Sequence, residues 1–356
     1  FELNMFAAMW SEHISYKSST KWLEDMPVKG EGVIIPAGEE NAGIIGINDE
    51  LACVIKMESH NHPVAVDPRQ GAVGVGNVNR DLISMGAEPI GQLNILRFGN
   101  PSQKPIKEMV NAVISALGSY SNNFGVPVVG GEILFDKSYN FNPLVNILGI
   151  GIVNQNQLIR AAFGKEGQEV VLLGKKTSGQ GVHGAGFASK AIRARGQMVP
   201  SAQVADPAIG KILMDCIMEL NSKALIGGMQ DIGAGGVLCA AAEMADRGKR
   251  GVEIQLNNIP VQREGIDALG ILLSQTQEQM LLAVDVENFA MVEKIARGME
   301  LDCVSVGRVT GEERIKILDA KTICGDLPVK LLVRGGGAPV YIRDMKPREK
   351  APRAVS

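Results

Sequence analysis

Short runs of β-branched and aliphatic residues alternate with longer helical stretches along most of the chain. The runs are GIIGI, LACVIKM, VPVVGG, LVNILGIGIV, EVVLLG and CVSVGRV, and their length and composition predict strands. The stretches KEMVNAVISALGSYSNNF, AIGKILMDCIMELNSKA and VLCAAAEMADRGK carry apolar residues at helical spacing. The alternation predicts an α/β fold, and 356 residues are enough for two domains of ordinary size.

A polar, glycine-punctuated stretch, GIVNQNQLIRAAFGKEGQEVV, lies between two of the expected strands. We place a domain boundary near Asn156 within it. This predicts a first domain over residues 1–156 and a second over residues 157–340. The tail, residues 341–356, is rich in Pro, Lys and Arg and has little to bury, so we expect a linker or a disordered end.

The composition argues against several classes of function. Aromatic residues make up 4% of the chain and the net charge is −3, so neither base stacking nor a basic surface favours nucleic acid. No apolar run approaches the ~18 residues of a membrane span. The start of the chain lacks the basic region of a signal peptide. The five cysteines include no C-x-x-C pair, which is typical of reduced thiols in a cytoplasmic protein.

The stretch KMESHNHP, residues 56–63, concentrates charge and two of the four histidines in eight residues. Alternate side chains of a strand share a face, so one face would carry Lys56, Glu58, His60 and His62. The opposite face would carry the apolar residues 53, 55 and 57, which we expect to be buried. Because Pro63 cannot donate to a sheet, the strand should end there and hold a ligand site at its rim. A solvated edge strand with capping histidines is the alternative.

The glycines of GAVGVG, residues 71–76, precede a stretch expected to be helical from about Val78. Glycines in such a loop let backbone N–H groups approach an anion near a helix N-terminus. Arg80 could grip a phosphate, and Asp81 could hold a magnesium ion. A tight turn followed by ordinary surface charges would give the same pattern.

Further glycine-rich segments follow in the second half of the chain. MQDIGAGGVL places Asp231 ahead of a glycine turn, and GKKTSGQGVHG places Lys175, Lys176 and His183 in a loop after a strand. Neither has the Walker A spacing, so a nucleotide would bind in another way. SAQVADP and SQTQEQ add amide and hydroxyl groups that suit sugar or amide recognition, although loop glutamines are often only solvated: Gln203, Gln275, Thr276 and Gln277.

Six motifs occur together in a consistent order: WSEHISYKSS, KMESHNHP, GNVNRDLISMGAEP, GVPVVGGE, SAQVADP and QDIGAGG. With them the chain resembles the phosphoribosylformylglycinamidine synthase family, from Trp10 to about Val340. The resemblance implies a two-domain α/β (α+β) architecture like that of aminoimidazole ribonucleotide synthetase (PurM-like), with an amino-terminal sheet domain and a carboxy-terminal α/β domain. It covers the first half of the family's synthetase subunit.

The resemblance also implies a reaction. The family is an ATP- and Mg²⁺-dependent ligase of purine biosynthesis, which converts formylglycinamide ribonucleotide, ATP and ammonia to formylglycinamidine ribonucleotide, ADP and phosphate through an iminophosphate. Ammonia comes from a glutaminase subunit that works with a small bridging subunit. A second pair of synthetase domains, or a second copy of this chain, would complete the site.

The motifs carry the family's site residues onto this chain. His13 and His60 would be catalytic, with His60 as the proton acceptor, and Tyr16 and Lys56 would contact ATP. The magnesium ligands would be Glu58, Asp81 and Asp231. The substrate-binding residues would be Ser59, Asn61, His62, Arg80, Gln203, Gln275, Thr276 and Gln277.

Some positions depart from the family pattern. SQTQEQ stands where the family has SESQER, and Ser178–Gln180 stands where it has Gly-Arg-Asp, which bears on substrate affinity. Two other functions therefore stay open. His60 and His62 with Glu58 could bind zinc in a hydrolase, or the chain could be a non-catalytic, nucleotide-binding half-subunit.

Overall fold

The computed structural model describes residues 1–190, 201–333 and 336–342. Its strands form two sheets. The first sheet contains β1 (Val33–Ile35), β2 (Gly43–Gly46), β3 (Leu51–Ser59), β4 (Glu88–Phe98), β5 (Val128–Phe135) and β6 (Leu144–Asn154). The second contains β7 (Glu169–Gly174), β8 (Gly228–Asp231), β9 (Gly251–Gln255), β10 (Gln279–Val284), β11 (Asp302–Thr310), β12 (Arg314–Asp319) and β13 (Thr322–Pro328). The predicted α/β fold is confirmed.

The helices of the described residues vary widely in length. They are α1 (Glu2–Met9), α2 (Glu12–Ser15), α3 (Thr20–Glu24), α4 (Asn61–Val66), α5 (Gly71–Ser84), α6 (Lys104–Phe124), α7 (Gly184–Ala188), α8 (Pro207–Ser222), α9 (Gly236–Gly248), α10 (Ala268–Leu273), α11 (Val286–Gly298) and α12 (Val329–Leu332). Short 3₁₀ turns cover Pro68–Gln70, Lys137–Tyr139, Gln155–Gln157 and Leu256–Asn258. None of these helices is long and apolar enough to cross a membrane.

The longest helix shows how local sequence sets an element. In α6, apolar side chains recur every three or four residues, and those at Ile106, Val110, Val113 and Leu117 are buried because this spacing forms one face of a helix. Its second residue is a proline, and it ends at Gly125 with a left-handed φ of 88°, a conformation that glycine adopts without strain.

The first sheet has the strand order β1-β2-β3-β6-β4-β5, in which β4 and β5 are parallel and the other pairs antiparallel. Helices α5 and α6 cover one face. The other face stays open, since Ile45 and Met57 are 46% and 47% exposed. At the edge of the sheet, every residue of β5 is exposed.

The second sheet has the order β13-β12-β9-β11-β7-β10-β8, with β9 and β12 parallel. Its central strands are covered on both faces. In β7, Val170 and Leu172 pack against one core while Val171 and Leu173 pack against another. The core that contains Val171 and Leu173 also contains Val75 of α5, a helix that packs on the first sheet. The two halves of the chain therefore share an apolar interface.

Helix α1 packs on the second sheet, although the strands that follow it in sequence belong to the first sheet. Met5 and Met9 of α1 are buried in the core formed by α9 and α12. The Glu2 carboxylate accepts a hydrogen bond from the backbone N–H of Asp326, and the Trp10 indole donates to the carbonyl of Leu331. The boundary near residue 156 stays a prediction, and residues 343–356, most of the predicted tail, lie outside the described residues.

Three local expectations are wrong. Strand β3 ends at Ser59 rather than near Pro63, and α4 begins at Asn61, because proline is tolerated in the first turn of a helix. The face of β3 that carries Met57 is open. The glycines of residues 71–76 lie inside α5, which begins at Gly71 and not near Val78.

The reason for the glycines is close packing and not a phosphate loop. A Cβ atom at Gly74 would lie 2.5 Å from Ile147 Cδ1 and 2.8 Å from His60 Cδ2, and one at Gly76 would lie 2.8 Å from the Tyr120 hydroxyl. The helix can therefore approach the sheet and α6 closely only without side chains at these positions.

Candidate active site

A cavity of about 470 Å³ opens where the end of β3 meets loops of the second half of the chain. Eleven of the fifteen site residues expected from the motifs line it: His13, Tyr16, Lys56, Glu58, Ser59, His60, Asn61, His62, Gln203, Asp231 and Gln275. Arg80, Asp81, Thr276 and Gln277 lie behind its wall, each at most 4% exposed. Residues far apart in sequence thus meet at one cavity.

The register of β3 explains why its charged residues point inward. Ala52 and Val54 are buried on the face that meets α5, and Lys56 and Glu58 continue that face by alternation. The Lys56 Nζ atom lies 3.1 Å from Asp81 Oδ2 and 3.7 Å from Glu58 Oε1. The predicted polar stripe is therefore confirmed for Lys56 and Glu58. These residues lie on the same face of β3 as the buried Ala52 and Val54, and not on the face opposite the core.

This cluster perturbs the acidity of its members. Burial alone would lower the pKa of Lys56, but the carboxylates of Asp81, Glu58 and Asp231 outweigh it and raise that pKa. Burial alone would raise the pKa of Glu58, but the hydrogen bond with His60 and the charge of Lys56 hold it well below its usual range. Burial raises the pKa of Asp81 and of Asp231. A protonated Lys56 thus lies among three acidic groups.

His60 is 7% exposed and lies in the turn between β3 and α4. Its backbone N–H donates to the carbonyl of Val145, and its Nε2 atom lies 2.9 Å from Glu58 Oε2. Gly74 packs against the adjacent Cδ2–Cγ edge of the ring. The imidazole is therefore held by its backbone, by a carboxylate and by packing.

The other two predicted histidines lie around the cavity mouth. His13 belongs to α2, where its backbone N–H donates to Ser189 Oγ. Desolvation in the cleft lowers the pKa of His13, with Glu58 opposing the effect and His60 adding to it. His62 faces α7: its Nε2 lies 2.6 Å from the Lys190 carbonyl oxygen, and its ring meets Phe187 edge to face at 5.6 Å.

The orientation of His62 does not support the zinc alternative. A His-x-His pair binds zinc when both imidazoles turn one nitrogen to the same point. Here Nε2 of His62 is taken by Lys190, and its Nδ1 lies 3.2 Å from Asn61 Oδ1, whereas His60 turns Nε2 to Glu58. The helical turn of α4 has directed the two rings apart.

The carboxylates near Lys56 fit magnesium better. Their donor atoms are all oxygens, as magnesium prefers, and Asp81 Oδ2 is buried 3.1 Å from the Lys56 ammonium. In the described residues no three His, Cys, Asp or Glu side chains form a ready metal-binding group. Magnesium is usually held by one or two carboxylates together with phosphate oxygens, so this donor set could hold it with a bound nucleotide.

Polar residues that were not expected from the sequence support the site. Asn41 donates to Ser84 Oγ at 2.8 Å, lies 3.5 Å from Asp231 Oδ1 and accepts from Lys56 through its carbonyl at 3.0 Å. Gln70, 7% exposed, lines the cavity and bonds to the backbone of Gln203. Both occur in segments without a strong pattern, so only their position in the fold reveals them.

The two parts of the chain match two family models. The AIR synthase related protein N-terminal domain matches residues 39–153, and the AIR synthase related protein C-terminal domain matches residues 165–320. The chain belongs to the AIR synthase related family. Both matched segments contribute to the cavity, the first through β3 and the second through Asp231 and Gln275.

Within the AIR synthase related family, the chain is 42% identical over 363 residues to the phosphoribosylformylglycinamidine synthase subunit PurL of Chlorobium luteolum, covering 99% of this chain and 48% of that protein. Among solved structures, Thermotoga maritima PurL complexed with FGAR aligns with a TM-score of 0.88 and 33% identity, over 99% of this chain and 56% of that one. The same protein complexed with ATP gives 0.83 and 30%, over 98% and 54%. The chain therefore spans about half the length of these relatives.

Proposed function

We propose that this chain provides the first half of a phosphoribosylformylglycinamidine synthase, which uses ATP and ammonia to convert formylglycinamide ribonucleotide to formylglycinamidine ribonucleotide. One observation carries the proposal: a single cavity brings together Lys56, Glu58, His60 and Asp231, which the KMESHNHP and QDIGAGG motifs place in the site of that family. The similarity to relatives named PurL over 99% of the chain supports it.

The chemistry suits these residues. An amide oxygen is a poor leaving group, so transfer of a phosphoryl group from ATP to that oxygen is needed before ammonia can replace it. Both steps develop charge that fixed cations and dipoles stabilise. Magnesium, held by Glu58, Asp81 and Asp231, would neutralise phosphate charge. Lys56, which is protonated and has a side chain that is 24% exposed, would balance charge on the nucleotide. Tyr16 would contact the nucleotide beside it.

The histidines would handle the protons. We assign the general base to His60, whose ring is oriented by Glu58. It would accept a proton as ammonia attacks the activated carbon, and phosphate would leave from the same carbon. His13, whose pKa is lowered by desolvation, could act as a second acceptor. Ser59, Asn61, His62, Gln203 and Gln275 line the rest of the cavity and would bind the ribonucleotide.

The nucleotide site would be completed by another protein surface. The open face of the first sheet and the fully exposed edge strand β5, with Val129 62% exposed, leave unpaired backbone groups and apolar side chains that favour association. We propose that a second pair of synthetase domains, or a second copy of this chain, covers them. A glutaminase subunit and a small bridging subunit would supply ammonia, all within the cytoplasm.

The test is phosphate release by the assembled enzyme. Release should require ATP, magnesium, formylglycinamide ribonucleotide and ammonia together, and His60→Ala should lower kcat by at least about 100-fold, the usual contribution of a general base. Arg69→Ala is a matched control, because Arg69 is exposed and, among the described residues, its ion pair is with Asp67. Full activity of His60→Ala would disprove the assigned base.

An ATP-binding measurement and a metal analysis address the two alternatives. Tight ATP binding without turnover in any assembly would indicate a non-catalytic half-subunit. Stoichiometric zinc in the purified protein would support a hydrolase, although the orientation of His62 disfavours it.

A further inference from the structure

The guanidinium of Arg247, in α9, joins the two halves of the chain behind the cavity. Its Nε atom donates to the carbonyl of Glu39 at 3.1 Å, and its Nη1 atom donates to the carbonyl of Ala161 and to Gln230 Oε1, each at 3.3 Å. Its Nη2 atom donates to Glu243 Oε2, one helical turn earlier, at 3.4 Å. Glu39 lies in the loop between β1 and β2 of the first sheet, whereas Gln230 belongs to β8 of the second. One side chain therefore contacts both halves.

The loop that Arg247 contacts is held by a buried carboxylate. The side chain of Glu40 is 2% exposed, and its Oε2 atom lies 3.8 Å from Arg247 Nε. The same oxygen accepts from the backbone N–H of Ala161 at 3.2 Å, and Arg160 Nη1 lies 3.4 Å from Oε1. A buried carboxylate needs such cations and donors to replace its lost hydration. The path of residues 39–41 is therefore fixed by contacts with the second half of the chain.

Asn41 carries this position to the charged cluster. Its carbonyl accepts from Lys56 Nζ at 3.0 Å, and its Nδ2 atom lies 3.5 Å from Asp231 Oδ1. Because Asn41 directly follows Glu40, a shift of the loop would move both contacts together. Asn41 and Arg247 lie behind the residues that line the cavity, so they would influence a ligand through Lys56 and Asp231.

Arg247 also orients the strand that carries Asp231. Gln230 precedes Asp231 in β8 and is 6% exposed. Its oxygen accepts from Arg247, and its Nε2 atom donates to Glu243 Oε2 at 3.1 Å, so α9 holds both ends of the amide. Successive side chains of a strand point to opposite faces. Holding Gln230 against α9 thus directs Asp231 to the cavity.

We infer that Arg247 is a positioning residue that sets the distance between the Lys56 ammonium and the Asp231 carboxylate. It acts on the first through Asn41 and on the second through Gln230. The use of this distance rests on the proposed function, in which Lys56 would contact ATP and Asp231 would hold magnesium, because a metal-bound phosphate needs its cation and its carboxylate in fixed positions.

The test removes the planar fork of Arg247 and keeps its charge. In Arg247→Lys an ammonium still balances Glu40, but one nitrogen cannot reach the Glu39 carbonyl and Gln230 together. We expect the Kd for Mg·ATP, measured by calorimetry on the full assembly, to rise about tenfold, the effect of one lost hydrogen bond. KM for ATP should rise with it, while KM for formylglycinamide ribonucleotide stays unchanged. A variant that had only lost folded protein would show a lower apparent kcat and unchanged KM values.

The chain offers a matched control in Arg297→Lys. Arg297 forms the same i,i+4 pair, with Glu293 on α11, but its side chain is 70% exposed, so this variant should bind Mg·ATP as the unmodified protein does. If Arg247→Lys fails to fold, Gln230→Met removes the amide that Arg247 holds at nearly constant volume, and the same rise in Kd is expected.

A second measurement needs no nucleotide. Hydrogen exchange of the backbone, followed by mass spectrometry, should be faster in Arg247→Lys over residues 36–43 and at Ala161, whose N–H is held by Glu40, and unchanged over α11. Unchanged exchange over residues 36–43, or an unchanged Kd for Mg·ATP in the folded variant, would overturn the inference. If the unmodified assembly bound no Mg·ATP, the proposed function would fail, while the exchange pattern would still decide whether Arg247 holds the loop.

Discussion

The packing of His60 against Gly74 makes a quantitative prediction. A methyl group at residue 74 would lie 2.8 Å from His60 Cδ2 and 2.5 Å from Ile147 Cδ1, closer than real Cβ contacts allow. Ile147 can rotate its terminal methyl, but the His60 ring is tied to Glu58 and must shift. Overpacking costs ~1–3 kcal/mol, against a gain of ~1 kcal/mol from replacing glycine in a helix. We expect Gly74→Ala to be destabilised by about 1 kcal/mol, with ~100-fold lower kcat if the ring moves by about 1 Å.

A matched glycine separates these effects. Gly118 lies inside α6, and a Cβ atom there would meet nothing within 4 Å. Gly118→Ala should therefore show only the helix effect, a gain of ~0.5–1 kcal/mol, with unchanged turnover. Urea unfolding gives the two free energies, and phosphate release gives kcat. If Gly74→Ala were stabilised as much as Gly118→Ala and equally active, the argument that this glycine positions His60 would be refuted.

Three further predictions concern other parts of the molecule. Lys56→Met should cost ~3–5 kcal/mol at pH 8, because it leaves buried carboxylates without their cation. Since burial raises the pKa of Asp81, the folded variant takes up protons and should regain stability as the pH falls from 8 to 5. A series of urea unfolding curves that shows no gain in stability would contradict this. Asn41→Ala should lose ~1–3 kcal/mol and bind Mg·ATP more weakly by calorimetry, whereas Glu39→Gln, which weakens an exposed pair with Arg160, should change neither. Val129→Lys on β5 should shift sedimentation from dimer to monomer, and a monomeric unmodified chain at high concentration would remove the proposal of self-association.

The sequence predicted the α/β fold and most of the cavity because both depend on strong local patterns. Alternation along β3 placed Lys56 and Glu58 together, and the motifs named eleven residues that line one cavity. The predictions from the sequence were wrong where tertiary packing determines the local structure. Pro63 fits a helical first turn as well as a strand end, and the glycines of residues 71–76 resemble a loop although they lie within a closely packed helix. The hydrogen bond from Arg80 to Gln277 joins residues nearly 200 positions apart, which no local pattern can show.

The path of the first residues has a consequence for dissecting the protein. Since α1 inserts Met5 and Met9 into the core beneath the second sheet, the chain runs from the second sheet to the first and then back to the second. A cut near residue 156 would separate α1 from the sheet on which it packs. The first fragment would expose the apolar side chains of Met5 and Met9 to water, and the second fragment would expose the apolar groove that they fill. The two fragments should therefore associate when they are co-expressed. Either fragment alone should precipitate or bind chaperones, because the two parts of this chain fold as one unit.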